Sequence, residues 1–186
     1  MKILFFDIET TGLNFWQHGI HQISGCVDID GNCIERFDFN VQPNPKAKID
    51  LGALAVSNVT QAQVMAYTPM KEIHTQFTAL LSKYVDKYTK TDKFFLVGFN
   101  NASFDNAFLR AWFVQNSDNY FGSWFWANPL DTYVLATQKL LKQRPQMPDF
   151  KLATVCKQIG ITVDDTKLHD AAYDIELTRQ LYYAVC

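Results

Sequence analysis

The feature that most constrains this chain is at its start. The apolar run Lys2–Ile8 carries Asp7 near its end and is followed by Glu9. On a strand, alternate side chains share a face, so Asp7 and Glu9 point the same way with Cα atoms ~6–7 Å apart. Two acids side by side at the end of an apolar strand repel each other and are costly unless a cation sits between them. Alone, the pair is equally satisfied by two carboxylates reaching into solvent. Thr10, Thr11 and Gly12 follow as a turn with donors and an open backbone.

Two further segments place acids at the starts of helices. In GFNNASFD, residues 98–105, a strand ends near Gly98 and a helix starts near Ser103. Asp105 falls in the first turn, where the helix dipole favours a carboxylate, and Asn101 suits a turn or cap. In HDAAYD, residues 169–174, Asp170 caps a helix and Asp174 lies one turn in. His169 then swings over the opening that Asp174 faces. Each segment also has a plain structural reading as a cap or a solvent-facing group.

The rest of the chain supplies a frame. Lys2–Ile8, Ile20–Ile29 and Cys33–Val41 read as strands, with the turn Asp30-Gly31-Asn32 joining the last two. Phe94–Phe99 is a fourth strand and Trp124–Leu130 a fifth. Thr68 caps a helix with Pro69 as its first residue. Its stripe is Ile73, Phe77, Leu80, Leu81, Tyr84, Val85 and Tyr88. Helices follow over Ser103–Gln115, Asp131–Leu141, Lys151–Ile159 and Asp170–Ala184, and VQPNPKAK and LKQRPQMPD break the chain between elements. Three strands followed by alternating helices and strands predict an α/β fold, an antiparallel meander joined to parallel strands. The 186 residues, 48% hydrophobic and without repeats, suit a single domain over 1–186.

Together, FDIETTG, NASFD and HDAAYD resemble the three motifs of the DnaQ-like, or DEDD, 3′–5′ exonucleases. His169, five residues before Asp174, marks the histidine (DEDDh) branch. The tyrosine branch needs Tyr where Asp170 stands, and Tyr173 is misplaced for it. GALAVSNVT resembles a loop of that family and PLDTYVLA its strand-to-helix junction. GFNNASFDNAFLR and the GALAVSNVT loop are similar to the exonuclease I branch, whose members are longer, so processivity is not carried over. The resemblance implies an RNase H-like mixed five-stranded sheet flanked by helices. It also implies phosphodiester hydrolysis from a 3′ end with two divalent metal ions, Mg²⁺ or Mn²⁺, releasing nucleoside 5′-monophosphates. Asp7, Glu9, Asp105 and Asp174 would hold the ions, and hard oxygen donors without sulfur suit those metals over zinc. His169 would take a proton from the attacking water. Thr10 and Thr11 would contact the terminal sugar, Leu13 would wedge against the base, Phe104 would stack, Asn101 would order the site, and Val59 would touch a base. The expected partner is the 3′ end of single-stranded DNA or a frayed end, with RNA as the alternative. A polymerase or repair complex is an expected protein partner, in DNA repair or proofreading. A non-catalytic module docked on a polymerase is the rival from another class.

Charge narrows this further. A net charge of −2 argues against coating a long duplex, but leaves room for a local grip on one phosphate. The apolar runs are too short to cross a bilayer, no secretory signal is evident, and Cys26, Cys33, Cys156 and Cys186 have no zinc spacing. A cytoplasmic protein with reduced thiols is expected. Asp131 reads as a cap rather than a fifth ligand. His18, His21 and His74 read as surface or structural residues. Phe15-Trp16 reads equally as a base stack or a loop packed on the domain, and Tyr120–Trp126 as core and strand.

Overall fold

The computed structural model describes residues 1–168 and 170–186. The chain opens with a meander, β1 (Lys2–Thr10), β2 (Ile20–Ile29) and β3 (Asn32–Gln42). Phe5 pairs with Cys26 and Cys26 with Arg36, both antiparallel. Asp30 and Gly31, with φ of 52° and 87°, make the β2–β3 turn, as a two-residue hairpin requires. Then come α1 (Leu51–Val56), α2 (Gln61–Met65), β4 (Thr68–Pro69), α3 (Met70–Ser82), β5 (Phe95–Gly98) and α4 (Asp105–Gln115). The chain closes with α5 (Phe121–Trp124), β6 (Leu130–Asp131), α6 (Thr132–Lys139), α7 (Leu152–Ile159) and α8 (Ala171–Val185). The sheet runs β4-β3-β2-β1-β5-β6, with β1 parallel to β5 and β5 parallel to β6.

β1 is central because both its faces are apolar. Leu4, Phe6 and Ile8 pack with Phe77 and Leu81 of α3 and with Phe108 and Trp112 of α4. Ile3 and Phe5 pack on the other side with Val97 and with Ile175 and Tyr182 of α8. Burying each such side chain contributes ~1.5–3 kcal/mol, so the helices are held on both faces of the strand that carries Asp7 and Glu9.

The mixed α/β sheet matches the sequence expectation, but its edges differ. Among the described residues there are six strands, not five. Trp124–Leu130 is not one strand: Phe121, Trp124 and Phe125 are buried, and a single helical turn packs Phe121 and Phe125 against Phe113. Phe125 makes an isolated parallel bridge to Phe94, and Leu130–Asp131 pairs with β5. Thr68 does not cap α3; Thr68–Pro69 pairs with Val41–Gln42 and Pro69 precedes the helix without a side-chain cap. α3 also stops at Ser82, short of Tyr84, Val85 and Tyr88. The Asp86 carboxylate accepts from the Tyr88 N–H and the Thr89 hydroxyl, a local bond that competes with helix, and Tyr88 is exposed. The GALAVSNVT segment is not simply a loop, because α1 occupies residues 51–56.

Candidate active site

β1 and β5 are paired from Ile3↔Phe95 to Phe5↔Val97 and no further. Beyond that point β5 turns away through Asn100, whose φ is 61°. The Ile8 N–H, left without a strand partner on that side, donates instead to Asp105 Oδ1 at 3.3 Å. This bond ties the first turn of α4 to the acid-bearing end of β1. Asp131, capping α6 through the Tyr133 N–H, also accepts from the N–H groups of Asn100 and Ala102. One carboxylate thus fixes the loop that delivers Asp105. α8 brings the last acid: Asp170 caps it by accepting from the Tyr173 N–H, and Asp174 follows in its first turn.

Asp7 lies within electrostatic reach of the other three acids. Burial, then the charges of Asp105, Glu9 and Asp174, hold the Asp7 carboxyl well above the ordinary carboxylate range. Asp105, 6% exposed, is raised to about 7, chiefly by burial. Hydrogen bonds from its own backbone and from Ile8 pull it down, and the charges of Asp131 and Glu9 push it up. No lysine or arginine figures among the groups acting on either acid. Buried like charges of this kind are relieved by a hard cation, so charge and donor type fit Mg²⁺ or Mn²⁺. Among the described residues, no three His, Cys, Asp or Glu side chains are grouped as a finished metal cage.

The remaining predicted residues divide by availability. His169 lies outside the described residues. Thr10 and Thr11 are buried; the Thr10 hydroxyl donates to Gly12 O and the Thr11 hydroxyl to Lys48 O. As a donor the Thr10 hydroxyl is committed within its own turn and the Thr11 hydroxyl to the segment before α1, so the expected sugar contact would fall to their backbone groups. Gly12 has no room for a side chain, because the His18 ring lies 2.2 Å from where a Cβ would stand. Leu13, 82% exposed, is free to wedge. Phe104 is half-buried against Phe108, ring centroids 4.9 Å apart. Asn101 is fully buried, with both amide atoms lacking a hydrogen-bond partner. Val59 is half-buried and its N–H donates to Leu54 O.

Ser57 is the site residue that the sequence did not disclose. Its hydroxyl donates to Glu9 Oε2 at 2.7 Å, a contact across 48 residues that no local pattern encodes. His21 is buried and its pKa is lowered to about 4 by that burial. His74 pairs with Asp118 at 3.3 Å. Phe15 packs on Phe108 while Trp16 stays exposed.

Comparison with known proteins agrees with the geometry. The family model described as RNase_T, exonuclease, matches residues 4–182. The PolC-type DNA polymerase III of Oceanobacillus iheyensis is 30% identical over 182 residues, covering 96% of this chain and 11% of that protein. Ribonuclease T of Buchnera aphidicola is 26% identical over 187 residues, covering 95% of this chain and 79% of that protein. Among solved structures, E. coli exonuclease I in complex with a dT13 oligonucleotide superposes with a TM-score of 0.74 at 21% identity, covering 97% of this chain and 40% of that one. A second exonuclease I structure gives a TM-score of 0.77. The chain therefore spans only a part of the polymerases and of exonuclease I. The match over nearly its whole length still places it, by sequence and by fold, in the RNase_T exonuclease family.

Proposed function

We propose that the chain is a 3′–5′ exonuclease that removes nucleoside 5′-monophosphates from single-stranded DNA or frayed ends. The observation that carries this reading is the mutual charge of Asp7, Glu9, Asp105 and Asp174 at the end of β1. Asp7, Glu9, Asp105 and Asp174 would hold two divalent ions, which would supply charge stabilisation to an in-line displacement at phosphorus. The chain's own groups do the rest. His169 takes the proton of the attacking water, a task suited to an imidazole near neutral pH. Ser57 holds one oxygen of Glu9 through its hydroxyl. Asp131 keeps the Asn100–Ala102 loop, and with it Asp105, in place. Leu13 lies open to meet the terminal base.

The preference for DNA draws on exonuclease I, whose structures hold dT13 and dA16 oligonucleotides. A second reading, RNA or short oligoribonucleotides, is favoured by the ribonuclease T relative, because this chain covers most of that protein. The PolC-type relatives suggest a polymerase as the protein partner. The test is digestion of matched 5′-labelled DNA and RNA oligomers with Mg²⁺ or Mn²⁺. Stepwise shortening from the 3′ end, faster on DNA, is expected. Faster RNA turnover would move the substrate to RNA, and no release of mononucleotides from either would favour the non-catalytic module.

A further inference from the structure

A groove runs beside α4, with a volume of ≈ 350 Å³. Phe15, Trp16, Asn106, Arg110, Val114 and Trp126 are among its lining residues. Trp16 and Val114 leave apolar surface open, at 74% and 53% exposure. Trp126 is half-buried and stacked by one face on Phe95, with ring centroids 5.8 Å apart. Arg110 lies with its guanidinium 4.3 Å from the Phe121 ring centroid. Among the described residues it has no carboxylate partner.

Asn106 turns this from an apolar trough into a site with a chemistry. Asn106 is 9% exposed, and among the described residues neither its amide oxygen nor its amide nitrogen has a partner. A buried polar group left unmade costs stability; both atoms lie beneath the lining of the groove, and a turn of this side chain would bring its carbonyl acceptor and NH₂ donors to it. A fitting occupant is flat, aromatic, and bears both an acceptor and a donor on its edge. It also carries an anion within reach of Arg110. An unstacked nucleobase with its phosphate meets all these demands: bases stack on aromatic side chains with little regard to sequence, and amides pair with base edges. Position supports the same occupant. Asn106 follows Asp105 directly in α4, and Ala102, another lining residue, belongs to the loop that Asp131 anchors. The groove thus opens at the end of α4 that carries the acids.

We propose that this groove is a subsite for an unpaired upstream base of the strand whose 3′ end lies on the acid cluster. It rests on the exonuclease reading for the identity of that strand. Trp16 and Trp126 would supply the stacking faces, Asn106 the base-edge contact and Arg110 the phosphate contact. A paired base cannot enter, so the subsite would select single strands.

The test measures fluorescein-labelled dT10 binding to the full chain by anisotropy in Ca²⁺. Trp16→Ala, which removes an exposed side chain, and Asn106→Leu should each weaken binding about tenfold, within the loss expected for one base contact. The melting temperature should be unchanged in the first and unchanged or higher in the second. A hydrolysis arm compares dT10 with thymidine 5′-monophosphate p-nitrophenyl ester, which is too short to reach the groove. The ratio of kcat/KM for dT10 to that for the ester should fall about tenfold in Trp16→Ala. Binding and ratio both within twofold of wild type would overturn the subsite. So would failure of the wild type to bind dT10. A change in sedimentation with dT10 binding intact would assign the groove to contact with a second copy instead. If the wild type bound dT10 but hydrolysed neither dT10 nor the ester with Mg²⁺ or Mn²⁺, the exonuclease reading would fail, while the anisotropy would still decide the groove.

Discussion

Asp7 is surrounded by like charge, and that has consequences for stability as well as chemistry. Burial and neighbouring acids raise Asp7, and Asp105 rises to about 7. An ordinary aspartate in the unfolded chain titrates near ~4. Between roughly pH 4 and 7 the fold therefore holds more protons than the unfolded chain, so these groups cost stability as pH rises through that window. His21, held neutral with a pKa of about 4, contributes the opposite slope. The carboxylate share is thus read as a difference: metal-free Asp105→Asn should melt above wild type at pH 8, and the gap should close near pH 4. A gap independent of pH would refute the charge argument. His169→Ala should keep Mn²⁺ binding but lower turnover ~10²–10⁴-fold, the usual worth of a general base; near-full activity would remove it from that role. Ser57→Ala should weaken Mn²⁺ binding, because it frees the Glu9 carboxylate, and Ser57→Thr should restore much of it. Equal affinities in all three proteins would make the Ser57 contact incidental. In the sequence the four acids stood out only through the three motifs taken together, since each segment alone reads equally as a cap or a solvent-facing group; the structure adds that Asp105, Glu9 and Asp174 all act on Asp7. Ser57 did not stand out, because its partner is reached only through the tertiary path of α1.

At the scale of elements, the site depends on how the β5–α4 connection is held. Asp131 accepts from three backbone N–H groups, those of Tyr133, Asn100 and Ala102. Removing a cap costs ~1 kcal/mol, and stranding buried donors adds ~1–3 kcal/mol. Asp131→Ala should therefore lower unfolding stability by about 2–4 kcal/mol in urea titration and reduce turnover through Asp105. A loss under ~0.5 kcal/mol, the usual size of a surface change, would mean the loop holds itself. The capping role was legible at Asp131, which precedes a helical pattern, but its grip on a loop 30 residues earlier was not. Long elements were read well for the same reason: β1, α4 and α8 carry enough apolar positions to show a period. α1 and α2, of six and five residues, fall short of the window in which periodicity speaks. The capping box Thr60–Gln63 was the available signal for α2. The Trp124–Leu130 stretch misled because an aromatic-rich run serves a buried helical turn as well as a strand.

For the whole molecule, the sheet order sets the acids where they can meet. β1 is flanked by β2 and β5, α4 lies on one face and α8 on the other, and both helices deliver their first turns to the same end of β1. No helix among the described residues is long and apolar enough to cross a membrane. The small net charge of −2 fits an enzyme that neutralises one phosphate locally rather than a protein that coats a duplex. The topology was legible because three short-linked strands followed by alternation admit few arrangements. Isothermal titration of the purified chain with Mn²⁺ tests the central claim most directly. Two ions per chain are predicted in the wild type, with neither bound and no mononucleotide released by Asp7→Ala. An unchanged stoichiometry in Asp7→Ala would contradict a site built around that carboxylate.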